Sequence, residues 1–166
     1  MFRSLNVKLV LIFIVFIISV MSVVGVFLLD KVSVFYTEDF LSQMEKGFSE
    51  RVVSILEGCL ADSDFADQQK DVLSAYSSSF SFDDHRNFYI LDMNGNILES
   101  SSADTRSVKK TKNLLTAMNR KDSDKSVSGM EYFDYALYLK NGENECIIYV
   151  IDDLTRMKSL IWSLFS

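Results

Sequence analysis

The 166 residues contain no proline, two cysteines, one histidine and one tryptophan. Without proline there is no proline-rich linker, and no helix is interrupted by a ring that lacks an N–H. Two cysteines do not make a disulfide framework. Cys59 and Cys146 fall within apolar patterns, so both are expected as buried free thiols, which behave as small hydrophobes. The lone His85, in Asp83-Asp84-His85-Arg86, has no second His or Cys at ligand spacing, so a zinc site is not expected. A solvated loop residue is the plainer reading. Also missing are an Asn-x-Ser/Thr acceptor, a phosphate-binding G-x-x-x-x-G-K-[ST] loop, H-E-x-x-H and C-x-x-C. The pairs Asp83/Asp84 and Asp152/Asp153 read as turn and cap residues, since a catalytic dyad needs burial. Catalysis, a cofactor and a resident metal are therefore not expected.

One stretch is abundant in what the rest lacks. Leu9 to Leu29 runs 21 residues without a charge, bounded by Lys8 and Asp30. At about 1.5 Å per residue it crosses a hydrocarbon core of roughly 30 Å. Its polar members, Ser19, Ser22 and Gly25, are small and tolerated in a membrane helix. A cleaved signal would have a shorter apolar region ending at a small-x-small site. An uncleaved anchor is the reading adopted, with the lipid bilayer as its partner. Arg3 and Lys8 precede it and Asp30 follows, so residues 1–8 are placed in the cytoplasm and the chain after the span outside, in the cell membrane's extracytoplasmic space. That outer part carries 15 positive and 23 negative side chains. A net charge of −8 argues against nucleic acid and leaves cations as conceivable ligands.

Periodicity places the remaining elements. Leu41, Met44, Phe48, Val52, Ile55 and Cys59 step at an average of 3.6, which predicts one long helix continuing from the membrane to about Leu60. Part of this stripe is expected to meet a second copy in a homodimer. Asp62-Ser63-Asp64 would cap a helix from Phe65 to Ser77, followed by a serine- and acid-rich loop. Phe88–Leu91 and Ile97–Ser100 flank Asp92-Met93-Asn94-Gly95-Asn96, a hairpin signal because Asn and Gly accept positive φ. Ser107 would cap a helix from Val108 to about Arg120, whose Lys109, Lys110, Lys112, Arg120 and Lys121 form a solvated basic face. Gly129 to Lys140 alternates as a half-buried strand, and Cys146 to Ile151 returns as a strand buried on both faces. After Arg156 and Lys158 the sequence closes on Leu160-Ile161-Trp162-Ser163-Leu164-Phe165. With Trp at the boundary, residues 159–166 read as the first turns of a second membrane helix. Residues 30–158 then form one outer domain, an α+β fold with flanking helices around an antiparallel sheet.

This order, together with Tyr89-Ile90-Leu91-Asp92-Met93-Asn94-Gly95-Asn96-Ile97-Leu98-Glu99-Ser100-Ser101, resembles the N-terminal sensor half of bacterial transmembrane sensor histidine kinases, particularly of Gram-positive type. The family pattern of apolar strand, Asp-x-x-Gly, apolar strand and Ser-Ser matches Asp92, Gly95, Ser100 and Ser101. The resemblance implies a PAS-like (PDC or Cache-like) outer domain that passes a stimulus inward through its membrane helices. The kinase signature, a His followed by Glu and then Pro, is absent, so no catalytic residue carries over. The full-length parent would be the histidine kinase, and a cytoplasmic response regulator would be reached only through that missing part. Aromatics on the sheet place a small-molecule or ionic ligand near Tyr89, Phe133, Tyr135 and Tyr138. The alternatives are the sensor of a chemotaxis or cyclic-dinucleotide receptor, and a single-span membrane adaptor or interaction protein.

Overall fold

The computed structural model describes residues 5–103, 108–121 and 132–165. Arg3, the Ser107 cap, the Gly129 start of the third strand and the closing Ser166 lie outside the described residues. The first helix, α1 (Leu5–Gly47), holds 43 residues, about 65 Å at 1.5 Å each. Every side chain from Leu9 to Leu29 except Gly25 is exposed to the surroundings. Among the described residues, Val7–Gly47 is the one helix long and apolar enough to cross a bilayer.

The long helix does not run unbroken to Leu60. It stops at Gly47, Ser49 is extended (φ −60°, ψ 157°), and α2 (Glu50–Cys59) begins anew. Phe80, 33 residues downstream, packs against the break. A Cβ on Gly47 would overlap the Phe80 ring, which packs on Phe48 at 4.6 Å between centroids. The buried face keeps most of the expected stripe. Met44, Phe48, Val52 and Cys59 are buried with Phe40, Leu56 and Leu60, whereas Leu41 is half-buried and Ile55 is exposed. The buried row steps by four from Phe40 to Leu60 straight across the break, so Phe40 and Leu56 take the places expected of Leu41 and Ile55.

α3 (Phe65–Ala75) follows a turn in which Asp62 and Asp64 both accept hydrogen bonds from Gln68. The serine-rich stretch expected as loop forms a single helical turn, α4 (Ser77–Phe80), ended by Ser81 in the left-handed region. Next come β1 (Arg86–Leu91) and β2 (Ile97–Ser100), then α5 (Lys112–Met118). That helix starts four residues later than its sequence pattern suggests. Thr111 is the N-cap, accepting from the Leu114 N–H at 3.1 Å, and its hydroxyl is simultaneously held by the sheet. The chain closes with β3 (Phe133–Asn141), β4 (Asn144–Asp152) and α6 (Thr155–Phe165).

The four strands are antiparallel in the order β2-β1-β4-β3. Helices cover both faces. Phe88, Ile90, Leu137, Leu139, Cys146, Ile148 and Val150 pack with α1, α2 and α3 on one side. Leu91, Ala136, Ile147 and Tyr149 pack with Leu114 and Ala117 of α5 on the other. β3 is thus buried on both faces, not half-buried: Asp134 and Ala136, which alternate with Phe133 and Leu137, lie beneath α5. The C-terminal carbonyls of α2 are capped by three amide side chains. Gln69 donates to Leu56 O (2.8 Å), Asn141 to Glu57 O (2.9 Å) and Asn144 to Leu60 O (2.7 Å). These bonds replace the glycine cap that helices commonly use and pin the β3–β4 turn to α2. Cys59 and Cys146 are buried free thiols; burial pushes the Cys146 thiol up to about 11.

Candidate functional site

One carboxylate gathers the end of the sheet and the two helices that flank it. Arg86 opens β1 directly opposite Asp152, the last residue of β4. Its Nε donates to Asp152 Oδ2 at 2.8 Å. Its Nη1 donates to the carbonyl of Phe80 at 2.9 Å and to Gln43 of α1, and the guanidinium lies 5.1 Å from the Phe40 ring centroid. The other oxygen of Asp152 accepts the Leu154 N–H at 2.9 Å. Side-chain exposure is only 8% for Arg86 and 10% for Asp152, so this pair is largely shielded from water and its partners matter.

Leu154 joins the sheet to α6 with φ +60° while 98% buried. A branched residue rarely adopts that conformation, which costs on the order of 1–2 kcal/mol. The Asp152 bond and burial of the side chain offset the cost. Beside the junction lies a cavity of about 60 Å³ bounded by Gln43, Arg86, Asp152, Leu154 and Met157. That is room for a water or two, well below the few hundred Å³ of an organic-ligand pocket.

A second buried polar cluster seats α5. Asp134 of β3 accepts from Thr111 Oγ1 (2.5 Å), Asn113 Nδ2 (2.9 Å) and Tyr149 OH (3.0 Å). Burial, with the neighbouring Asp134 charge, pushes the Tyr149 hydroxyl far above its usual range. It remains a neutral donor. Among the described residues, Asn113 Oδ1 is buried without a hydrogen-bond partner.

The hairpin motif is built by its aspartate. Asp92 Oδ1 accepts the N–H groups of Asn94 and Asn96, each at 2.8 Å, and Oδ2 accepts Asn96 Nδ2 at 2.7 Å. Partial burial pushes this carboxyl up, but the hydrogen bonds from Asn96 and Asn94 outweigh it and leave the group below its ordinary value. Gly95 alone supplies the positive φ, +86°. Ser101 continues the ladder: its Oγ accepts the Phe88 N–H while its own N–H donates to Phe88 O, both at 3.0 Å. Ser100 Oγ donates to Ser102 O at 2.8 Å. Asp92, Gly95, Ser100 and Ser101 thus shape the hairpin and its exit.

The four aromatics of the expected ligand region divide between the two faces. Phe133 packs on Phe40 of α1 and Tyr135 stacks on Phe48 just beyond that helix. Tyr89 and Tyr138 lie with the α5 cluster. His85 contacts Asp153 through Nδ1 at 3.2 Å. Among the described residues, no three His, Cys, Asp or Glu side chains stand together to hold a metal ion.

No protein-family model matches the chain, and no curated protein does either. The junction itself was not legible as a site. Arg86 stands beside His85 and reads as a loop charge until β4 is laid against β1. Its only sequence signal is a charge immediately before an apolar strand, matched by an acid immediately after another.

At the far end of the sheet, Glu145 is held by Arg120 through two bonds of 2.9 Å and by Tyr138 OH at 2.5 Å. The Arg120 guanidinium, then the Tyr138 hydroxyl, lower its carboxyl from 4.5 to about 2. A depressed carboxyl contributes stability above its unfolded value and loses it as pH falls through the folded one. The denaturant midpoint of the native chain should therefore exceed that of Glu145→Gln most clearly above pH 4.5, the gap closing as pH approaches about 2. A gap independent of pH over that window would contradict the assignment.

Proposed function

We propose that this chain is the input half of a membrane-anchored receptor of the sensor histidine kinase type: an extracytoplasmic PAS-like domain whose stimulus-induced rearrangement moves the helices leading to the membrane. The observation that carries this reading is Asp152. One oxygen binds Arg86, which also holds Gln43 of α1, and the other binds the backbone entering α6. A shift of β4 relative to β1 therefore loads both helices at one point. Two packings of the sheet a few kcal/mol apart would suffice for a population shift, read out as a piston or tilt.

The coupling is tested with the chain in bilayer nanodiscs, spin-labelled through cysteines placed at Lys31 and Ser163. Asp152→Asn is expected to shift or broaden the α1–α6 distance distribution, and Glu145→Gln at the opposite end of the sheet to leave it unchanged. Equal responses from both variants would remove the basis for the reading. The output class is tested by the coding sequence after Ser166. Continuation through further apolar residues into a His-Glu-x-x-Pro segment supports a kinase, whereas a stop codon favours the adaptor. Protease protection of the Asn94-Gly95 turn in intact cells tests the proposed side.

A further inference from the structure

The sequence holds two Asn-Gly pairs, Asn94-Gly95 and Asn141-Gly142. Asparagine is thermally labile, because the next residue's backbone nitrogen can attack its side-chain carbon. Glycine, with no side chain, shields that nitrogen least. The fold treats the two pairs differently.

In the β1–β2 hairpin the glycine nitrogen is engaged. Gly95 N–H donates to Asp92 O at 3.0 Å, and Asp92 Oδ1 holds the N–H groups of Asn94 and Asn96. Lys110 Cε and Met118 Sδ crowd the side of Gly95 where a Cβ would stand. In the β3–β4 hairpin all four turn residues, Asn141 to Asn144, are exposed. Gly142 has φ +63° and open space beside it. Among the described residues its N–H donates to no backbone carbonyl. The positive φ reserves this position for glycine. The turn therefore leaves Asn141 next to an unshielded nucleophile.

Asn141 is also a cap. Its Nδ2 donates to Glu57 O at 2.9 Å, at the C-terminal end of α2. That bond engages the nitrogen that leaves, not the carbon that is attacked. An aspartate in its place has no donor, and its charge faces a carbonyl at the negative end of the helix dipole.

We propose that Asn141 is a self-modification site, whose deamidation loosens the grip of the β3–β4 hairpin on α2. Hydroxide takes the Gly142 N–H proton and the nitrogen bonds to Asn141 Cγ. The Cγ–Nδ2 bond breaks, and Nδ2 leaves as ammonia with a proton from water, which restores the hydroxide. Water then opens the succinimide ring to aspartate or isoaspartate. Isoaspartate also adds a carbon to the main chain where Asn141 pairs with Asn144. Of the three amide caps on α2, those from Gln69 and Asn144 remain.

The full chain in detergent micelles is aged at mildly alkaline pH, digested with trypsin and read by mass spectrometry. The peptide that begins at Asn141 should gain the amide-to-acid mass about five-fold faster than the peptide carrying Asn94, the weight of one hydrogen bond on the Gly95 nitrogen. In urea the two rates should converge. Equal rates in the folded chain, Asn94 ahead of Asn141, or a ratio that urea leaves unchanged overturns the proposal. The structural consequence is read by amide hydrogen exchange. Asn141→Asp should speed exchange of the Leu60 N–H, which shares Glu57 O with the cap, about ten-fold. Asn94→Asp should leave it unchanged. Native exchange at Leu60 in Asn141→Asp overturns the loosening of α2.

Discussion

Arg86→Met should lower the unfolding free energy by about 3–5 kcal/mol, the cost of leaving a shielded carboxylate without its cation. The substitution strands Asp152 at 10% exposure and removes the donors to Phe80 O and Gln43. It also removes the guanidinium from the Phe40 ring, on the order of 1–2 kcal/mol within that total. Methionine fills similar volume, so the loss is electrostatic more than steric. Arg86→Lys keeps the charge but lacks the planar fork that reaches three acceptors, and should recover only part of the loss. The double replacement Arg86→Met with Asp152→Leu removes both charges and should recover most of it. Urea unfolding of the chain in detergent micelles reads all three. A loss below about 1 kcal/mol for Arg86→Met, the value of an exposed pair, would mean that water reaches the junction freely.

The second large effect is at the helix break. Phe80→Ala should cost about 3–5 kcal/mol, because a fully buried ring is lost and a cavity is left. Gly47→Ala alone should cost about 1–3 kcal/mol by overpacking, although alanine in a helix is otherwise favoured by about 1 kcal/mol. The informative measurement is the double variant. With the ring gone, the added methyl has space, so Gly47→Ala should become neutral or slightly stabilising in the Phe80→Ala background. Additive losses would show that Gly47 is required for its backbone rather than for its closeness to Phe80.

What the sequence disclosed followed from short-range pattern. The apolar span, α3, the two hairpins and the doubly buried β4 each announce themselves within a dozen residues. What it concealed depends on partners far along the chain. The room for a side chain at the end of α1 is taken by Phe80, and the start of α5 is held by Asp134 acting on Thr111. The burial of Asp134 itself was hidden, because strict alternation assigns a mid-strand acid to water. Three neutral donors, Thr111, Asn113 and Tyr149, make its interior position tenable. The aromatics Tyr89, Phe133, Tyr135 and Tyr138 were legible as sheet residues, but their division between faces depends on register, which a single strand does not reveal. The Arg86–Asp152 pair was invisible for the same reason.

The position of the kink at Gly47 has a mechanical corollary. Below it α1 is one unbroken rod, with Leu9–Leu29 occupying about 31 Å and the stretch from Asp30 to Gly47 about 27 Å. A bilayer that held this rod at the middle of Leu9–Leu29 would make it a lever with an outer arm of about 42 Å and an inner arm of about 15 Å. A sideways push of about 1 Å at Phe48 would then arrive at the opposite membrane face with about a third of that amplitude and the reverse sign. Had the bend fallen at Asp30, the outer arm would have pivoted there and the push would have died at the lipid surface.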